Sequence, residues 1–334
     1  MFTDIGEYGE FGLIDHLNEK IQLRNPSTVQ GIGDDAAIVN YDRKYTVAST
    51  DMLLEGIHFD LMYTPLHHLG YKAIIANLSD ICAMNAQPEQ VLVSFAVSQK
   101  FSVEMVDDIY MGMRIACDNY GIDLVGGDTS SSYSGLVISV TAYGKANKTD
   151  LVYRSGAQHF NLVCTTGDLG SAYLGLQILE REKRVFMENP NVGRQLKPEA
   201  RKDIIDKLKG LKVTPTAMID VSDGLASEMN HICYNSNMGC KIYEDKIPVH
   251  PDTYKLGMEF GLDPTVCALN GGEDYELVFT IKQKDFEKIK KEKDIKVIGH
   301  ITEPNEGRKL VTRSNIEHNL EAQGWTAFNQ RKEE

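Results

Sequence analysis

The 334-residue sequence predicts a mixed α/β (α+β) protein of two domains. Three observations carry that expectation. The chain is long enough for two cores of ordinary size. Apolar residues make up 42% and charged residues 25%, the profile of a soluble globular protein. Short β-type apolar runs and stretches of helical period mix in both halves. The pattern pauses near "KANKTDLVYRSGA", which divides residues 1–149 from residues 150–334.

In chain order, "GEFGLIDHL" spaces Phe11, Ile14 and Leu17 as a short amphipathic helix. "AAIVNY" and "YTVAST" read as strands, expected to form a hairpin around Asp42 and Arg43. A helix follows through "LGYKAIIANLSDICAM", then a strand through "VLVSFAV". "VEMVDDIYMGMRIACDNYG" is a helix that Gly121 closes, glycine being the residue that best takes a left-handed cap. "IDLVGGDTS" is expected as a short strand running into a glycine loop, with "GLVISVTAYG" as the next strand. The second half restarts with strand "NLVCTTG" and helix "SAYLGLQILEREK", then turns charged and irregular at "NPNVGRQLKPEARKD". Strand "AMIDVS", helix "GLASEMNHICYN", strand "CKIY", loop "LNGGEDY" and strands "ELVFTI" and "KVIGHI" complete it.

Composition excludes several classes. No apolar run approaches the ~18 residues of a membrane-spanning helix, and "MFTDIGEYGEFG" lacks the basic-then-apolar order of a signal peptide. The expected location is the cytoplasm. The six cysteines (Cys82, Cys117, Cys164, Cys233, Cys240, Cys267) form no C-x-x-C pair and read as buried, reduced thiols. A net charge of −13 with no basic stripe argues against a nucleic-acid partner. It leaves room for an anionic substrate if metal ions mediate.

Five acidic segments then stand out: "GIGDDAA", "STDML", "GGDTS", "IDVSDGL" and "NGGEDYEL". Each is read as a turn at the end of an apolar strand, carrying a carboxylate beside glycine or a small hydroxyl residue. Singly, each fits an Asx-turn or a helix cap, and Asp223 fits a cap well. Together they suit Mg²⁺, a hard ion that binds through a few carboxylates and substrate phosphates. Asp80 lies in the otherwise apolar "AIIANLSDICAM", where an unpaired carboxylate is costly. Pairing with Lys72 is the plain alternative. No G-x-x-x-x-G-K-[ST], H-E-x-x-H or G-x-S-x-G is present. "GIGDDA" fits the dinucleotide fingerprint formally, but a β-type run follows where a helix is needed.

In this order, "GEFGLIDHL", "GIGDDAAIV", "STDMLLEGIHF", "YKAIIANLSDICAM", "LVGGDTS", "YRSGA", "IDVSDGL" and "GGEDYEL" resemble the thiamine-monophosphate kinase family. That family lies in the superfamily of aminoimidazole ribonucleotide synthetase, selenophosphate synthetase and a hydrogenase-maturation enzyme. The resemblance covers nearly the whole chain. It implies an aminoimidazole ribonucleotide synthetase-like fold, with an N-terminal sheet that forms a barrel in a homodimer and a C-terminal α/β domain. It implies direct transfer of the ATP γ-phosphate to thiamine monophosphate, with several Mg²⁺ ions and no covalent nucleophile. Implied metal ligands are Asp35 (Asp34 being the weaker candidate), Ser49, Thr50, Asp51, Asp80, Asp128, Asp220 and Asp223. Implied ATP contacts are Tyr110, Gly127, Asp128, Arg154 and Ser222. Implied substrate contacts are His58, Glu273 and Trp325, the only tryptophan, whose aromatic face suits a cationic thiazolium. Core packing for Tyr110 and Trp325 and a surface place for Arg154 are the plain alternatives. Asn85 stands where the family usually has glycine, and Ala200 where a second proline is usual, so residues 190–203 receive no site assignment. Two other functions fit the same motifs: another ATP-dependent enzyme of the superfamily, or a non-catalytic nucleotide-binding sensor.

Overall fold

The computed structural model describes residues 16, 19–30, 38–42, 44–185 and 189–324. The expected helix on "GEFGLIDHL", the turn holding Asp34 and Asp35, and Trp325 lie outside the described residues. Two units divide the chain. The first comprises Met1–Leu151, Glu182–Val185 and Leu196–Ile205; the second comprises Val152–Arg181, Phe186–Gln195 and Asp206–Glu334.

In the first unit, β1 (Thr28–Gln30) and β2 (Ile38–Val39) pair as a small antiparallel sheet. Four longer strands, β3 (Tyr45–Leu54), β4 (Gln87–Val97), β5 (Asp123–Ser131) and β6 (Val137–Ala146), assemble in the order β3-β6-β4-β5. Only β4 and β5 run parallel. The hairpin expected around Asp42 and Arg43 is not made: β2 turns to β1 and β3 to β6. Alternate residues of β6, Ile138, Val140 and Ala142, are buried, as period-2 alternation with one covered face requires. Helix α1 (Leu66–Ala83) covers that face, since a Cβ on Gly144 of β6 would come within 2.4 Å of Ile81 Cγ2. Helix α2 (Val103–Tyr120) packs on α1 and ends at Gly121 with φ 67°, as expected from the sequence. Among the described residues this sheet is open, with β3 and β5 as its edges, so a single chain does not close the barrel that the resemblance implies.

Among the described residues the second unit holds seven strands: β7 (Leu162–Thr166), β8 (Ala217–Asp220), β9 (Gly239–Tyr243), β10 (Leu277–Ile281), β11 (Ile295–Thr302), β12 (Arg308–Val311) and β13 (Glu317–Asn319). Their order is β13-β12-β9-β11-β7-β10-β8, parallel only at β9–β12. Val163, Ile219, Val278, Ile298 and Ile301 from this sheet meet Leu225, Met229 and Ile232 of a helix at Leu225–Ser236 in one core. Each such side chain contributes roughly 1.5–3 kcal/mol on burial. The stretch read as irregular forms two helices, Pro190–Leu196 and Lys202–Gly210. In the second of these Ile204, Ile205 and Leu208 are buried, a helical spacing that the surrounding lysines mask in the sequence. The six cysteines are buried and none forms a disulfide. No described helix is long and apolar enough to cross a membrane.

Candidate active site

The acidic segments do not all sit in turns. "STDML" lies within β3 and "GGDTS" within β5; their β-branched and hydroxyl residues continue the ladder, because an edge strand tolerates polar side chains on its exposed face. Of the four that lie among the described residues, only "IDVSDGL" holds a carboxylate at a strand's C-terminal end, Asp220 on β8. "NGGEDYEL" precedes β10 instead of following a strand.

Strand parity then sorts the first unit's residues. Ser49 and Asp51 stand opposite Ala142 and Val140 of β6 and so share the face covered by helix α1. Ser49 Oγ donates to Asp80 Oδ2 on that helix. Asn77, one turn earlier, accepts from the Asp51 backbone N–H at 3.0 Å and donates to the Ala73 carbonyl at 3.0 Å. The edge strand is thereby stitched to the helix, and two carboxylates and a hydroxyl come together. Asp51 keeps a solvent-facing side, yet partial burial first and the Asp80 charge second push its carboxyl up to about 6. This is an oxygen-only donor set, which suits a hard divalent cation.

Thr50 points to the other face, where it accepts from Thr141 Oγ1 at 3.0 Å. Asp128 is in register with Ser94, and Ser94 with Ser139, also on that other face. It lies on the opposite edge strand, three strand spacings or roughly 14 Å from β3. One chain therefore does not bring Asp128 to Asp51 and Asp80. Gly127 has a packing reason of its own, since a Cβ there would fall 1.8 Å from the Val93 carbonyl oxygen. Tyr110 is 6% exposed and meets the Phe95 ring edge-on at 6.0 Å, the surroundings of a core residue. His58, just past β3, accepts from the Leu54 N–H through Nδ1 at 3.1 Å. In the neutral ring that leaves the proton on Nε2.

In the second unit two loops zip together. Val221 N–H donates to the Glu276 carbonyl at 2.7 Å, Tyr275 N–H to the Val221 carbonyl at 2.9 Å, and Glu273 N–H to the Ser222 carbonyl at 2.7 Å. Gly272 has φ +74°, and a Cβ on it would strike the Ser222 carbonyl oxygen at 2.5 Å. Glu273 and Tyr275 also take positive φ, 58° and 52°. Such backbone strain persists only where neighbours enforce it. Asp223 does not cap the following helix: Gly224 holds the cap position and no side chain caps it. Burial raises the Asp223 carboxyl, His231 and Arg154 draw it down, and Glu273 adds to the rise. Arg154, exposed to solvent, thus lies close enough to act on this loop. Glu228 accepts from the Asp223 N–H at 3.0 Å, and burial pushes it up to about 7.

The rest of the "GGEDYEL" acids serve the frame. Asp274, pushed by burial up to about 7, accepts from Gly170 N–H at 2.7 Å and Ala172 N–H at 3.1 Å at the start of the helix Ser171–Glu182. Glu276 pairs with Arg194. Among the described residues no group of three or more His, Cys, Asp and Glu is placed to hold a metal by itself. Ser49, Asp51 and Asp80 would by themselves complete only part of a coordination shell, and Mg²⁺ commonly retains waters and substrate phosphates.

Residues 33–146 match the family described as AIR synthase related protein, N-terminal domain. The thiamine-monophosphate kinase of Bacillus subtilis (strain 168) is 34% identical over 96% of this chain and 99% of its own length. That of Aquifex aeolicus (strain VF5) is 36% identical over 82% of this chain and 86% of its own. The chain belongs to the thiamine-monophosphate kinase family. A solved structure described as "AaThiL complexed with AMPPCP and TMP" superposes with a TM-score of 0.77 at 32% identity, covering 97% of this chain and 98% of that one. The family's mixed α/β fold is therefore the fold of this chain. Sequence reasoning missed Asn77, which ties the family's "STD" strand to its "NLSD" helix, and Arg194 and Gln195, which fall in the stretch left unassigned. Asn77 carried a signal: it lies one helical turn before Asp80 in "ANLSD". Arg194 and Gln195 carried none.

Proposed function

We propose that this protein transfers the γ-phosphate of ATP to thiamine monophosphate, forming thiamine diphosphate and ADP. The observation that carries this reading is end-to-end identity with relatives named for that activity, 34% over 96% of the chain in one case. The oxygen-only group of Ser49, Asp51 and Asp80 supports it.

The acceptor is a phosphate with a second pKa of about 6, so it is largely dianionic near neutrality and needs no strong base. The barrier is repulsion between anions. At an effective dielectric near 20, a pair of unit charges about 4 Å apart costs on the order of 4 kcal/mol. At ~1.4 kcal/mol per decade, one uncompensated pair slows the step nearly a thousandfold. Bound Mg²⁺ would supply neutralisation of the phosphate charge. Ser49, Asp51 and Asp80 would hold one such ion, and Thr50, Asp35, Asp128, Asp220 and Asp223 would serve as ligands of further ions. Arg154 and Ser222 contact the nucleotide phosphates in this reading. His58 donates through Nε2–H to the substrate phosphate, and Glu273 and Trp325 contact the thiamine body. With no side chain activated as a nucleophile, transfer is direct.

We place the enzyme in the cytoplasm as a homodimer, in which a second copy completes the open sheet. The test of the activity is incubation of the purified protein with thiamine monophosphate and ATP labelled in the γ-phosphate. Label is expected in thiamine diphosphate with Mg²⁺ and absent in chelator. Label transfer at full rate in chelator overturns the metal assignment; no transfer in either condition overturns the kinase reading.

A further inference from the structure

The helix Pro190–Leu196, unread in the sequence, delivers one side chain to the loops just described. Gln195 is 5% exposed. Its Nε2 donates to Glu273 Oε2 at 2.8 Å, whereas its Oε1 finds no hydrogen-bond partner among the described residues. The orientation is forced by chemistry. A carboxylate only accepts, so the amide must turn its nitrogen towards Glu273 and its oxygen away. A buried acceptor without a donor is costly in a folded protein and calls for an explanation.

The neighbourhood fixes this side chain firmly. A Cβ on Gly175 would lie 2.9 Å from Gln195 Cβ and 2.1 Å from the Asn191 carbonyl, so the two helices touch at that glycine. Arg194, the preceding residue, is held by the buried Glu276. Glu273 in turn is anchored through its backbone to Ser222 at 2.7 Å, in the loop that holds Asp223. A rigid acceptor thus stands beside a carboxylate on the same strained loop.

We propose that Gln195 Oε1, set by its bond to Glu273, accepts the N–H of the exocyclic amino group on the substrate's heteroaromatic ring. The proposal rests on the thiamine-phosphate reading, in which the pyrimidine carries one such amino group. Gln195 is then the residue that selects the amino form. A carbonyl at that ring position sets two acceptors face to face, and Nε2 cannot rotate round to help without leaving Glu273. Sites built to accept a substrate N–H reject analogues lacking it far better than apolar pockets do.

The experiment compares thiamine monophosphate with its 4-oxo analogue, in the full-length enzyme and in Gln195→Met, with Mg-ATP saturating. The wild type is expected to favour the amino compound by about a hundredfold or more in kcat/KM. Gln195→Met is expected to lose about 10- to 100-fold on the amino compound, to keep its KM for ATP within about twofold, and to discriminate little between the two rings. A merely structural role lowers both compounds equally, and unchanged discrimination in the variant overturns the proposal. Calorimetric binding of both compounds to the wild type gives a second measurement should the variant not fold: comparable affinities overturn it too. Phosphorylation of neither compound by the wild type removes the kinase reading itself, and the proposal with it.

Discussion

Asp51 and Asp80 face each other from an edge strand and a helix, and that closeness sets a measurable balance between function and stability. A carboxyl whose folded pKa is raised gives stability that is whole below the unfolded value, near 3.8, and is lost as pH rises through about 6. In chelator at pH 7.5, Asp51→Asn is therefore expected to be more stable than the wild type. Discounted for the solvent that reaches Asp51, the gain is about 1 kcal/mol, and it vanishes below about pH 4. The same variant is expected to lose at least about a hundredfold in turnover, from the charge stabilisation it gives up. Thermal melts at the two pH values and a kinase assay check both halves; a variant less stable than wild type at pH 7.5 removes the account of strain. Asp80 was legible in the sequence because a lone acid in an apolar helix is conspicuous. Gln195 was not, because its meaning lies in which of its two amide atoms is paired.

Among the elements, close approach decides more than propensity does. Helices α1 and α2 meet at Gly70 and Gly112, where an added Cβ would fall 1.9 Å from the Ile109 carbonyl oxygen and 1.7 Å from that of His67. Gly112→Ala is expected to destabilise the protein by at least about 3 kcal/mol, the upper range for overpacking. Denaturant unfolding reads this, and a loss under 1 kcal/mol shows that the helices can part at little cost. Most elements from Leu66 onward follow the apolar period of the sequence, and Gly121 ends its helix where expected. The failures have physical causes. "GGDTS" looked like a loop because glycines suggest turns, yet Gly127 is there so that β5 can approach β4. The Asp42–Arg43 hairpin failed because β2 pairs with β1, while the ten-residue β3 pairs with β6, far along the chain. Asn85, standing where the family usually has glycine, has φ 55°, and its Nδ2 donates to the Asp150 carbonyl at 2.7 Å. Asparagine is among the few residues that take this conformation readily, so the departure keeps the turn.

At the scale of the whole molecule, the ten-residue strand β3 and the strand β5 are left as sheet edges among the described residues. Unpaired edges invite further pairing, and proteins cover or close them. The face opposite helix α1 carries Thr50, Thr141, Ser94, Ser139 and Asp128, together with the exposed Met52. The proposed homodimer would bring two copies together along these edges, closing the barrel that the family resemblance implies. Sedimentation is expected to return the mass of two 37.3 kDa chains, and a single-chain mass at micromolar concentration removes that assembly. How these edges are covered was not legible from composition or periodicity, since no local pattern states whether an edge pairs with the same chain or with another.

The first unit is not finished when its first 151 residues are: it takes back Glu182–Val185 and Leu196–Ile205, and Lys197 of the later segment lies 5.5 Å over the Tyr71 ring of helix α1. A ribosome must therefore deliver some two hundred residues before the earliest part of the chain can settle. Until then helix α1 waits without its last neighbours, in the interval when a nascent chain depends most on chaperones. A fragment ending near Leu151 inherits that same unfinished condition permanently.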